Sequence, residues 1–82
     1  MVVFVAPGPG SIAFVAGRRV GGAVIRNRAR RILRAAWREL APGALDGYDV
    51  AFVARGTIRG AKTQDLVSEM QELFQRARAL QP

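Results

Sequence analysis

The chain has 82 residues, half of them hydrophobic and 23% charged, with a formal net charge of +7 and neither cysteine nor histidine. It fits one small domain spanning residues 1–82, with enough apolar residues for a packed core and no composition bias toward disorder. Disulfides, Cys/His zinc sites, thiol nucleophiles and Ser-His-Asp catalysis are excluded.

Val2 to Ala6 is a short apolar, β-rich run, broken by Pro7, Gly8, Pro9 and Gly10. Proline removes a backbone donor and glycine supplies turn conformations. Ile12 to Ala16 is a second apolar run, followed by Gly17-Arg18-Arg19. The two runs predict an antiparallel hairpin with a short loop. Neither run alternates with polar residues, a pattern expected of strands covered on both faces.

Gly21-Gly22 predicts a turn and Ala23 to Leu40 a helix. Ile25, Ala29, Ile32, Leu33, Ala36 and Leu40 share one arc, with Trp37 at its edge, and Pro42-Gly43 is the expected stop. Tyr48 to Ala54 predicts a third strand, and residues 55–60 a loop. Thr63 to Leu80 predicts a last helix, with a stripe of Leu66, Val67, Met70, Leu73, Phe74, Ala77 and Leu80. Thr63 is the candidate cap, with Asp65 and Glu69 near the positive end of the helix dipole. The order β-β-α-β-α predicts an α+β, two-layer α/β sandwich with both helices on one face of a small sheet. No linker, internal repeat or low-complexity segment interrupts it.

The charge is concentrated. Arg18 to Arg38 contain eight basic residues and no acid, while the rest of the chain has five basic and six acidic residues. On a wheel of about 100° per residue, Arg26, Arg30 and Arg34 form an i, i+4 column. Asn27, Arg31 and Arg38 share that face, and Arg28 lies at the shoulder of the buried arc.

An ordinary solvated helix face mixes signs, because like charges at i, i+4 cost about 0.2–0.5 kcal/mol each. This face has none of the compensating acids, and guanidinium groups grip phosphate bidentately. A polyanion is therefore the expected partner. A membrane surface fits less well, since Trp37 is the lone aromatic in the helix and its apolar stripe is needed to cover the sheet; no apolar run reaches the roughly 20 residues a spanning helix needs. Trp37 is expected at the rim of the core. No catalytic residues are expected: Asp46 and Asp49 flank a turn, Glu69 and Glu72 fit a solvated face, and neither Gly-Pro-Gly nor Val-Gly-Gly carries the lysine and hydroxyl of a phosphate loop.

Gly17-Arg18-Arg19-Val20-Gly21, followed by Ala23-Val24-Ile25-Arg26-Asn27-Arg28-Ala29-Arg30-Arg31 and Arg34, closely resembles the signature of the bacterial ribonuclease P protein component. Gly47-Tyr48-Asp49-Val50 and Arg55-Gly56 continue the likeness over essentially the whole chain. The resemblance implies the protein subunit of a ribonucleoprotein that removes the 5′ leader from precursor tRNA, with catalysis by the RNA subunit and its Mg²⁺. It implies no metal bound by the protein alone. It further implies an α/β sandwich of ribosomal-protein type with a left-handed β-α-β crossover, against the usual right-handed preference. By the same resemblance Arg18, Arg19, Arg26, Asn27, Arg28, Arg30, Arg31 and Arg34 contact the RNA subunit, and Phe4 lies where the leader passes.

Members of that family usually begin with a further segment containing a basic stretch, a helix and a lead-in strand. The expectation is therefore an N-terminally truncated relative with one bare apolar sheet face, impaired leader binding and a tendency to self-associate through that face. A cysteine-free chain fits a reducing cytoplasm. The runner-up reading is a generic module for structured RNA, of ribosomal-protein type, with no part in tRNA processing. A third is an interaction protein whose basic helix meets an acidic partner.

Overall fold

The computed structural model describes residues 1–40 and 47–79, the last without its side chain. The elements run β1 (Val2–Pro7), β2 (Ile12–Val15), α1 (Ala23–Glu39), β3 (Tyr48–Val53) and α2 (Thr63–Ala79). Single 3₁₀ turns at Arg18–Val20 and Gly56–Ile58 follow β2 and β3. The expected roles of Pro42, Gly43, Asp46 and Leu80 lie outside the described residues.

The sheet order is β1-β3-β2, which corrects the expected hairpin. β1 pairs antiparallel with β3, Phe4 opposite Ala51, and β2 pairs parallel with β3, Ala13 opposite Ala51. The residues between β1 and β2 explain why the hairpin does not close. Pro7 and Pro9 lack N–H donors, and the donors that remain turn to the entry of β3. Gly8 N donates to Gly47 O at 3.0 Å, and Val50 N donates to Ser11 O at 2.9 Å. Asp49 Oδ1 accepts from Gly10 N at 3.0 Å and Ser11 N at 2.8 Å. β3 thus enters between the two runs that neighbour each other in sequence, and β2–α1–β3 is a crossover between parallel strands.

Register sorts the strand residues into two faces, since alternate side chains point opposite ways. Val3, Val5, Ile12, Phe14, Val50 and Phe52 face the helices, where Val50 and Phe52 are buried. Both helices cover this face: α1 packs over β2 and against α2, and α2 lies over β1. The opposite face carries Phe4, Ala6, Ala13, Val15 and Ala51. It is open, with Phe4 61% and Val15 43% exposed. The continuous apolar runs predicted two covered faces; the described residues cover one of them.

The core follows the helical stripes. Ala29, Leu33, Ala36 and Trp37 of α1 are buried together with Leu66, Met70 and Phe74 of α2. Trp37 is inside the core rather than at its rim, its ring centroid 5.3 Å from Phe52 and 5.4 Å from Phe74. Edge-tilted aromatic pairs at such distances add about 0.5–1.5 kcal/mol each beyond burial. At the start of α2, Asp65 Oδ2 accepts from Lys62 N at 2.9 Å, so the capping bond comes from Asp65 and not from Thr63.

Candidate nucleic-acid interface

α1 presents its arginines at the β2 edge of the sandwich because the 3.6-residue repeat commits the other arc to Leu33, Ala36 and Trp37. Arg31, Arg34 and Arg38 are exposed, and Arg26 and Arg30 half-buried. Among the described residues the ion pairs are Met1 ammonium–Glu69 and Arg76–Glu72, so no α1 arginine has a carboxylate partner. A run of like charge without internal neutralisation keeps its field for an outside anion.

Three arginines on α1 have internal partners. Arg30 Nη2 donates to Asn27 Oδ1, which orients both groups on the same face. The Arg34 guanidinium lies 5.5 Å from the centre of the Phe14 ring on β2, so the basic face wraps onto the sheet edge. Arg28 turns away from that face: its Nη2 donates to the carbonyl oxygen of Ala61 at 2.7 Å, in a partly buried position.

Arg18 and Arg19 are exposed on the 3₁₀ turn beyond the end of β2. They do not continue the strand. They line a groove of about 340 Å³ together with Val20, Val53, Ala54 and Arg55. Arg55, a residue that sequence patterning did not single out, thus joins them from the end of β3. The usable signal was its place: β2 and β3 are parallel, so their C-terminal ends, with Arg18-Arg19 and Arg55, emerge on the same side.

Phe4 stands on the open sheet face, beside a second groove of about 480 Å³ lined also by Ala6, Ser11, Ala13, Asp49 and Ala51. This groove is apolar except at Ser11 and Asp49, and the Asp49 carboxylate is engaged by the backbone donors of Gly10 and Ser11. The molecule therefore has an arginine-bearing helix edge and a largely apolar, aromatic-bearing sheet face. Among the described residues no three His, Cys, Asp or Glu side chains converge as metal ligands, and no helix is long and apolar enough to cross a membrane.

These elements together make a small α+β sandwich with an unneutralised arginine helix on one side and an open apolar sheet face on the other. The profile of the family described as Ribonuclease P matches residues 1–78. The chain is 42% identical over 73 residues to the ribonuclease P protein component of Symbiobacterium thermophilum, covering 89% of this chain and 64% of that protein. It is 41% identical over 69 residues to the ribonuclease P protein component of Roseiflexus castenholzii, covering 83% and 57%. The likeness to the same component of Chloroflexus aurantiacus is shorter and denser, 60% over 42 residues. No solved structure matches. The chain belongs to the ribonuclease P protein component family. It spans 64% and 57% of the length of the first two of these relatives.

Proposed function

We propose that this chain acts as the protein subunit of ribonuclease P, binding the catalytic RNA through α1 and assisting removal of the 5′ leader from precursor tRNA. The carrying observation is the arginine face of α1, which has no carboxylate partner among the described residues. Arg26, Arg30, Arg31 and Arg34, with Asn27, supply the contacts, and Arg18, Arg19 and Arg55 extend them past the sheet edge. In this reading the protein neutralises phosphates and holds the complex together, while the RNA carries the Mg²⁺ and the hydrolysis. Phe4 offers an exposed ring on which a leader base stacks; such stacking is worth about 1–3 kcal/mol per base. This assignment goes with a soluble, cytoplasmic ribonucleoprotein.

Reconstitution tests the reading. The protein is mixed with a bacterial ribonuclease P RNA and precursor tRNA at low Mg²⁺, where the RNA alone is slow, and leader release is followed. Faster cleavage is expected. Absence of both stimulation and preferential binding to that RNA over other structured RNAs would leave the generic RNA-binding reading in its place. The open sheet face also supports self-association; light scattering across protein concentrations, compared with Phe4→Ser, reads it directly.

A further inference from the structure

Arg28 belongs to the same sequence motif as Arg26 and Asn27, yet its guanidinium is committed inside the protein. It spans 33 residues of sequence to the Ala61 carbonyl, just before α2. The acceptor is built for that position. Gly60 adopts a φ of +81°, a conformation that side-chain-bearing residues rarely take, and Ala61 N is fixed by a 3.1 Å bond to Ile58 O. Ala61 itself packs against the core.

Ile25 and Ala29 anchor the buried side of the start of α1 to the core, but its basic side has no such support. Its N-cap is Gly22, which provides no side-chain bond, and its first turn contains no acid. Val24 is 80% exposed. Helix ends with unsatisfied donors and few apolar contacts open at low free-energy cost. That first stretch carries Arg26, Asn27 and Arg30.

We propose that Arg28 is a positioning residue for RNA recognition: it clamps the second turn of α1 to the Ala61 carbonyl and so holds Arg26, Asn27 and Arg30 in one fixed array. The inference rests on the reading of α1 as the RNA-binding face. It separates two arginines that the motif presents as equivalent. Arg30 meets phosphate, whereas Arg28 acts through its neighbours.

Salt dependence distinguishes the two roles, because a side chain that neutralises one phosphate adds somewhat less than one unit to the slope of log K against log salt. Wild type, Arg28→Gln and Arg30→Gln are titrated against ribonuclease P RNA over a salt series, with affinities corrected for the folded fraction. Arg30→Gln should flatten the slope. Arg28→Gln should weaken binding about tenfold with the slope unchanged, the loss of a charge-assisted hydrogen bond being of that order. In the free protein, amide exchange should quicken about tenfold at residues 26–30 and stay unchanged at Met70 and Phe74 in the core. Gly60→Ala, which strains the loop presenting the carbonyl, should reproduce the same pattern.

A flattened slope for Arg28→Gln, unchanged affinity, or exchange that rises uniformly through the core would each overturn the proposal. Wild-type protein that shows no preference for ribonuclease P RNA would instead remove the reading on which it rests. Should Arg28→Gln fail to fold, the wild type decides by guanidinium NMR. Arg28 signals that exchange slowly and stay in place on RNA addition support the clamp. Signals that shift with those of Arg30 refute it.

Discussion

Substituting Gly8 with alanine should change sign as a stability effect according to what stands at position 49. An alanine Cβ at Gly8 would lie 2.1 Å from Asp49 Oδ2 and 2.3 Å from Cγ, far inside contact distance. The carboxylate would have to move, and its oxygen atom Oδ1 would abandon Gly10 N and Ser11 N. Hydrogen bonds to charged acceptors contribute about 1.5–3 kcal/mol each in protected sites, and this one is largely at the surface, so the pair is worth about 2 kcal/mol. Gly8 is not among the glycines with positive φ, so alanine fits its backbone. Removing glycine freedom from the unfolded chain then returns about 0.4–1 kcal/mol. Gly8→Ala should therefore destabilise wild type by about 1–2 kcal/mol, yet stabilise the Asp49→Ala variant by about 0.5 kcal/mol. Urea unfolding followed by far-UV circular dichroism measures both. With a slope near 1 kcal/mol/M for a domain of this size, the wild-type midpoint should fall by roughly 1–2 M. Equal costs of Gly8→Ala in the two backgrounds would refute the claim that Asp49 fastens the β1–β2 loop to β3.

Phe52 is fully buried and meets the rings of Phe14, Trp37 and Phe74; Phe52→Ala should cost about 3–5 kcal/mol, against a total of about 4–12 for a domain this size, so its cooperative thermal transition should disappear or drop steeply. Arg26→Gln should weaken binding to ribonuclease P RNA and lower the salt slope by somewhat less than one unit, whereas Arg76→Gln, which breaks an exposed pair with Glu72, should leave both unchanged in the same titration. Arg55→Gln should reduce the salt slope as Arg18→Gln does, since both line one groove; a slope indistinguishable from wild type would remove Arg55 from the interface. Phe4→Ser should leave the urea midpoint within the equivalent of about 0.5 kcal/mol while lowering affinity for leader-bearing precursor over mature tRNA.

Element positions were legible because Pro7 to Gly10, Gly21-Gly22 and the helical stripes punctuate the chain where the backbone does. Strand pairing was not. Two apolar runs separated by a short Pro/Gly loop have the local pattern of a hairpin, and only tertiary donors and acceptors reveal that the loop bonds to β3. The carboxylate that does this, Asp49, looks in sequence like any acid beside a turn. The bare sheet face was likewise invisible to periodicity, because Phe4, Ala13, Val15 and Ala51 are as apolar as the residues opposite them; the family resemblance, not the pattern, indicated it. The arginine face was legible since a one-signed arc on a wheel needs no tertiary information. Arg28 carried a hint in its shoulder position, but the acceptor that takes it, a backbone carbonyl, leaves no trace in residue types. Arg55 required knowing that β2 and β3 run parallel, so that two distant loops share one end.

On the proposed function, the two layers carry two kinds of attraction that respond differently to conditions. Phosphate contacts through α1 then gain from counterion release and weaken as salt rises. Stacking on Phe4 involves an uncharged ring on a face where the charged group, Asp49, is engaged by Gly10 and Ser11, so this component should be nearly independent of salt. On the proposed function, raising salt should erode binding to the large RNA before it erodes discrimination for the leader. The physical separation also explains why a one-signed helix is tolerable: the repulsion among its arginines is spread along a solvated edge, and the core beneath contains no buried polar or charged side chain among the described residues. Charge borne mostly at the surface costs the fold little, and apart from Arg28 it remains available to a partner that can neutralise it. A core ion pair would instead have consumed it and added desolvation cost.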